Sequence, residues 1–106
     1  MITAIVQFKV GIDANRDEML TDIENAAPRF RNVGRLIRKN FLYDQQRGLR
    51  GGVYTWESRE AAETFHAAGG AWRQAIIDRY GVEPEISWFE TPVLVDNVTG
   101  EIEVAD

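Results

Sequence analysis

Residues 34–56 read GRLIRKNFLYDQQRGLRGGVYTW, and this stretch decides the fold. It predicts two strands joined by a short turn. Over 36–43 the residues alternate: Ile37, Lys39, Phe41 and Tyr43 share one face, and Leu36, Arg38, Asn40 and Leu42 share the other. Residues 44–48 have the length and glycine content of a hairpin loop. In the strand that follows, Val53 and Thr55 face one way and Tyr54 and Trp56 the other. Gly51 and Gly52 weaken that strand unless a bulge or another backbone comes close.

On the N-terminal side, residues 2–10 alternate strictly. Ile2, Ala4, Val6, Phe8 and Val10 fall on one face, while Thr3, Gln7, Lys9 and Ile5 fall on the other, as in a half-buried strand. A helix follows, with Asn15 or Asp13 as its N-cap. Met19, Leu20, Ile23, Ala26, Ala27 and Phe30 recur at helical spacing, and Pro28 must break or kink the helix. On the C-terminal side Ser58 is set to cap a second helix. Gly69-Gly70 interrupts it, Trp72, Ala75, Ile76 and Tyr80 continue it, and Gly81 stops it. Residues 85–91 are a fourth strand, ended by Pro92. Val93-Leu94-Val95 is a further apolar segment that needs burial, and residues 99–106 are expected to fray.

The order is strand, helix, strand, strand, helix, strand. This is the ferredoxin-like βαββαβ unit of the α+β class: a four-stranded antiparallel sheet with both helices on one face. Residues 1–97 are expected to form this single domain, and residues 98–106 an acidic tail. The other sheet face would then be bare, with too many large side chains to stay wet. Packing against a second copy solves this, and a two-fold homodimer is the commonest closed arrangement.

The totals agree with one small domain. The chain has 106 residues, 44% apolar and 27% charged, with no cysteine, so disulfides and thiolate chemistry are excluded. MITAIVQFKV lacks the features of a signal peptide, and no apolar run approaches a membrane span, so a cytoplasmic protein is expected. The net charge of −5 disfavours nucleic acid. That charge is unevenly placed. Residues 29–50 carry seven bases against Asp44, whereas residues 83–106 carry seven acids and no base. Either these are separate solvated faces, or the acidic end lies across the basic hairpin, within one chain or between two.

The segments MITAIVQFKV, GRLIRKNFLYD, RGGVYTWESREAA and RYGVEPEISWFETPVLVDN resemble the YdhR-like group of candidate monooxygenases. That group belongs to the dimeric α+β barrel superfamily, with the antibiotic-biosynthesis monooxygenases. The resemblance covers most of residues 1–97. It implies a barrel-forming homodimer with a pocket between sheet and helices in each subunit. It also implies oxidation of an aromatic compound without metal, flavin or haem. The wider superfamily includes lactone isomerases and haem-degrading enzymes, and haem would require His66 as its axial ligand.

Cofactor-free oxygenation needs a dry cavity, a base, and hydrogen-bonding or positive groups for the substrate anion. His66 is the only histidine: a half-buried or surface helix residue, or a base at a pocket edge. A lone histidine without cysteine disfavours a metal site. Tyr54 and Trp72 are the preferred pocket walls, the one after the paired glycines and the other after the Gly69-Gly70 break. Arg38 and Asn40 sit as a polar pair on an otherwise apolar strand face. They either pair across a dimer with acids such as Glu90 or bind a substrate anion. The resemblance, with the aromatic-rich interior, implies a cofactor-independent monooxygenase acting on a small aromatic or quinol-like compound. The alternative is a non-catalytic small-molecule-binding homodimer of the same fold.

Overall fold

Alternation of apolar side chains makes Ile2–Lys9 a strand, β1, whose Ile2, Ala4, Val6 and Phe8 are all buried. The computed structural model describes residues 1–105. The remaining elements are α1 (Arg16–Ala26), a 3-10 turn (Ala27–Phe30), β2 (Leu36–Asp44), β3 (Leu49–Trp56), α2 (Arg59–Phe65), α3 (Ala71–Tyr80), β4 (Glu85–Glu90), β5 (Val93–Asp96) and β6 (Glu101–Val104). Strands β2, β3, β1 and β4 lie side by side in that order, every neighbouring pair antiparallel. The fold is the ferredoxin-like α+β arrangement expected from the sequence, with the helices packed on the sheet.

Local chemistry sets the boundaries. Asn15, not Asp13, caps α1, its Oδ1 accepting from the Glu18 amide at 3.0 Å. Ser58 caps α2 by accepting from the Ala61 amide. Pro28 converts the end of α1 into the 3-10 turn. Gly69 (φ +80°) and Gly81 (φ +70°) occupy left-handed conformations at the α2–α3 break and at the end of α3.

One face of the sheet carries the core. Trp56 and Tyr54 on β3 lie opposite Ile2 and Ala4 on β1 and are buried under Ala62 and Ile76 from the helices. Burial of each large apolar side chain contributes about 1.5–3 kcal/mol. The register of β2 departs from simple alternation. A bulge between Leu36 and Arg38 brings Leu36, rather than Ile37, to the core face beside Lys39, Phe41 and Tyr43. Ile37 is left exposed.

The C-terminal segment differs from the expected fraying tail. Strands β5 and β6 pair as a hairpin, and Asp96 Oδ1 accepts from the Val98 amide at the turn between them. The final residue of the expected tail, Asp106, lies outside the described residues. Arg38 Nη1 on β2 pairs with Asp96 at 3.6 Å, so acidic end and basic hairpin meet within one chain. The apolar segment Val93-Leu94-Val95 is only partly covered: Leu94 is half-buried, while Val93 and Val95 are exposed. Val93 pairs with Val104 and Val95 with Ile102, which places an exposed apolar stripe along one side of the hairpin. Among the described residues no helix is long and apolar enough to cross a membrane.

Candidate functional site

A cavity of about 370 Å³ opens between the core face of the sheet, α1 with its 3-10 turn, and α3. Its floor comes from β2 and β3, and the paired glycines explain why there is room. A Cβ on Gly52 would lie 3.0 Å from Tyr54 Cε1 and 3.2 Å from Lys39 Cε, so the bare position lets both side chains extend over the sheet. A Cβ on Gly51 would lie 1.8 Å from the Val6 carbonyl oxygen, which only glycine avoids at this strand spacing.

Lys39 is the chemical centre of the cavity. Its Nζ lies 3.3 Å from the Phe30 ring centroid, 3.7 Å from that of Phe41 and 4.5 Å from that of Tyr54. Among the described residues it has no carboxylate partner. The ring faces favour the ammonium. Burial, and then the Arg50 guanidinium, act more strongly the other way and lower the Lys39 pKa to about 7. An amine that exchanges its proton near neutrality among the aromatic walls of a cavity has the properties of a general base.

Beside Lys39 stands Tyr54, whose hydroxyl accepts from Trp72 Nε1 at 3.1 Å. Burial pushes the Tyr54 phenol well above its ordinary pKa, so it stays protonated and can donate to a ligand oxygen. At the far end Arg50, nearly buried, donates to Asp22 Oδ2 at 3.0 Å and to the Tyr80 hydroxyl at 2.6 Å. Arg79 holds the other oxygen of Asp22 at 2.8 Å.

The sequence-predicted residues divide three ways. Tyr54 and Trp72 line the cavity. Arg38 and Asn40 do not: they lie opposite Thr55 and Val53 on the other face of the sheet, where Arg38 pairs with Asp96 of the same chain. His66 is neither a surface residue nor a cavity wall. It is only 1% exposed and lies behind Tyr54 and Trp72, 4.7 and 4.4 Å from their ring centroids. Its Nε2 accepts from Trp56 Nε1 at 3.2 Å. Burial, followed by the charges of Lys39 and Arg73, lowers its pKa to about 4. In this position it presents no nitrogen to a haem in the cavity.

The residue that sequence reasoning missed is Lys39. Its place on the face of Phe41 and Tyr43 was readable from the alternation. A cation on an aromatic strand face, two residues before the Phe41 that lies opposite Gly52, is the signal that would have found it.

No family model matches the chain, and no curated protein matches it. Among solved structures, the chain is similar to a candidate antibiotic biosynthesis monooxygenase from Deinococcus radiodurans, with a TM-score of 0.63 and 13% sequence identity over 91% of this chain and 97% of that one. At this identity the likeness is one of fold, and a fold of this kind hosts more than one chemistry.

Proposed function

We propose that the chain is a cofactor-independent monooxygenase that oxidises a small acidic aromatic or quinol-like compound, with Lys39 as the general base. The observation that carries this reading is an amine with a pKa of about 7 held among three aromatic rings in a cavity between sheet and helices. The shared fold and the sequence resemblance to the YdhR-like group support the reaction class.

For an anthrone-like substrate the steps balance as follows. A ring methylene gives one proton to Lys39 Nζ, and the carbanion is stabilised by the ammonium so formed and by the Tyr54 hydroxyl. The carbanion passes one electron to dioxygen, and the radical pair combines at carbon to give a hydroperoxide anion, which takes the proton back. Loss of water, using the second methylene proton, leaves the ketone. One oxygen atom enters the product and the other leaves as water. The base contributes about 10²–10⁴-fold, and the phenol donor adds electrostatic stabilisation where charge develops.

The working unit in this reading is a cytoplasmic homodimer. The bare sheet face exposes Ile37, Leu42 and Phe89, and the hairpin exposes Val93, Val95, Ile102 and Val104. A second copy placed on that face would bury both sets. Light scattering at micromolar concentration should then give twice the monomer mass, and removal of residues 92–106 should weaken association. A monomer at that concentration overturns the dimer.

The test of the reaction is oxygen uptake by metal-free protein with a panel of anthrones and hydroquinones. Turnover in the wild type that is lost in Lys39→Met supports the reading. Turnover that survives in Lys39→Met overturns the assignment of the base, and no turnover across the panel overturns the oxidation.

A further inference from the structure

The cavity is electropositive although the protein is acidic. Its lining includes Arg29, Lys39, Arg50 and Arg79 against the single carboxylate of Asp22, while the whole chain carries −5. The imbalance is not spread evenly. Arg50 and Arg79 share Asp22, one on each oxygen. Lys39 is enclosed by rings. Arg29, on the 3-10 turn, is exposed and has no ion-pair partner among the described residues. Arg79 is also open, its side chain 60% exposed. Two exposed guanidiniums that also line the cavity, together with Asp22 and Asn25 of α1, mark its mouth.

A cavity with aromatic walls inside and two exposed guanidiniums at its entrance, Arg79 shared with Asp22 and Arg29 without an ion-pair partner among the described residues, fits one kind of ligand: an aromatic body with an acidic group at one end. Arginine presents a planar fork that matches a carboxylate with two parallel hydrogen bonds. Aromatic side chains stack on a planar ring or meet it edge-on. We propose that the ligand of this cavity carries a permanently charged acidic group, a carboxylate or its equivalent, that sits on Arg29 and Arg79 at the mouth while its ring enters toward Lys39. This rests on the reading of the cavity as the substrate site and adds the charge of the substrate to it. The two cationic positions have different tasks. The mouth guanidiniums hold a charge the ligand always has, and Lys39 answers a charge that forms only on deprotonation.

The test compares a hydroxynaphthoic acid with its methyl ester by titration calorimetry on the full chain. The acid is expected to bind roughly tenfold tighter than the ester at low salt, the scale of one charge-assisted pair at a partly open site. Raising the salt to about 0.5 M should reduce that ratio, because the mouth is exposed to solvent. Arg29→Gln should lower the ratio to about threefold or less, and Arg79→Gln should lower it as well. Lys39→Met should keep the ratio while oxygen uptake is lost, which separates this inference from the assignment of the base. An ester that binds the wild type as well as the acid overturns the proposal. So does a ratio unchanged in both arginine variants, or one abolished by Lys39→Met alone, which would place the acidic group at the lysine. Binding of neither compound overturns it together with the reading of the cavity as a site for aromatic ligands.

Discussion

His66 and Lys39 are both nitrogen bases surrounded by aromatic rings on the same side of the same sheet, yet their access to the cavity differs. His66 is sealed: 1% exposed, its Nε2 engaged by Trp56, its pKa lowered to about 4. It is neutral at physiological pH. Lys39 faces a cavity, has no hydrogen-bond or carboxylate partner among the described residues, and has a pKa of about 7. Burial lowers the pKa of both, because removing water disfavours the charged form of any base. Access separates them. A perturbed base is useful to a reaction only when a substrate can reach it.

The strongest way to break this contrast is to remove each base in turn. Lys39→Met should lower oxygen uptake by about 10²-fold or more, whereas His66→Gln should leave uptake within about threefold in whatever fraction folds. The same Lys39 variant should gain stability. A base whose folded pKa is lowered costs stability wherever the unfolded chain is protonated and the folded one is held back. For Lys39 that cost is present in full below pH 7 and fades as pH rises from about 7 to the ordinary lysine value. Thermal unfolding at pH 7 should therefore show a higher Tm for Lys39→Met than for the wild type. A lower Tm would mean that the aromatic cage stabilises the ammonium more than burial penalises it.

The next effect separates the two bases by pH. The folded state resists protonation of His66, so stability should fall as pH drops from about 6.5 to about 4 and level off below that. The loss is on the order of 3 kcal/mol and should be missing from His66→Gln in denaturant titrations at both ends of that range. Turnover should follow Lys39 instead, with kcat/KM rising as pH increases through about 7, because only the neutral amine accepts a proton. A rate profile that follows a group near pH 4 would return the catalytic role to His66.

Smaller effects test the surroundings. Tyr54→Phe removes the cavity hydroxyl and the acceptor for Trp72, and should lower kcat about tenfold with the fold retained. Arg38→Ala breaks a half-exposed pair with Asp96 on the other sheet face. It should cost about 0.2–1 kcal/mol in unfolding and leave oxygen uptake unchanged. A large loss of uptake in Arg38→Ala would show that the bare face, and not the cavity, meets the substrate.

Period-two alternation over residues 2–10 and 36–56, the cap residues Asn15 and Ser58, and the stops at Pro28, Gly69, Gly70 and Gly81 fixed the order of elements from local chemistry alone. Those signals act over a few residues, so a linear reading recovers them, and the fold class follows. Tyr54 and Trp72 were legible as cavity walls because both flank glycines that open space. The surroundings of His66, Lys39 and Arg38 were not legible. One bulge between Leu36 and Arg38 decides which side chains of β2 face the helices. The closure of α2 and α3 over β3 decides which base keeps contact with a cavity. The hairpin of Val93–Asp96 with Glu101–Val104 is likewise a pairing made after the chain has folded back on itself. Composition and periodicity name the groups able to carry charge, but the loss of water around each one, and so its pKa and its use, is set by neighbours distant in the chain.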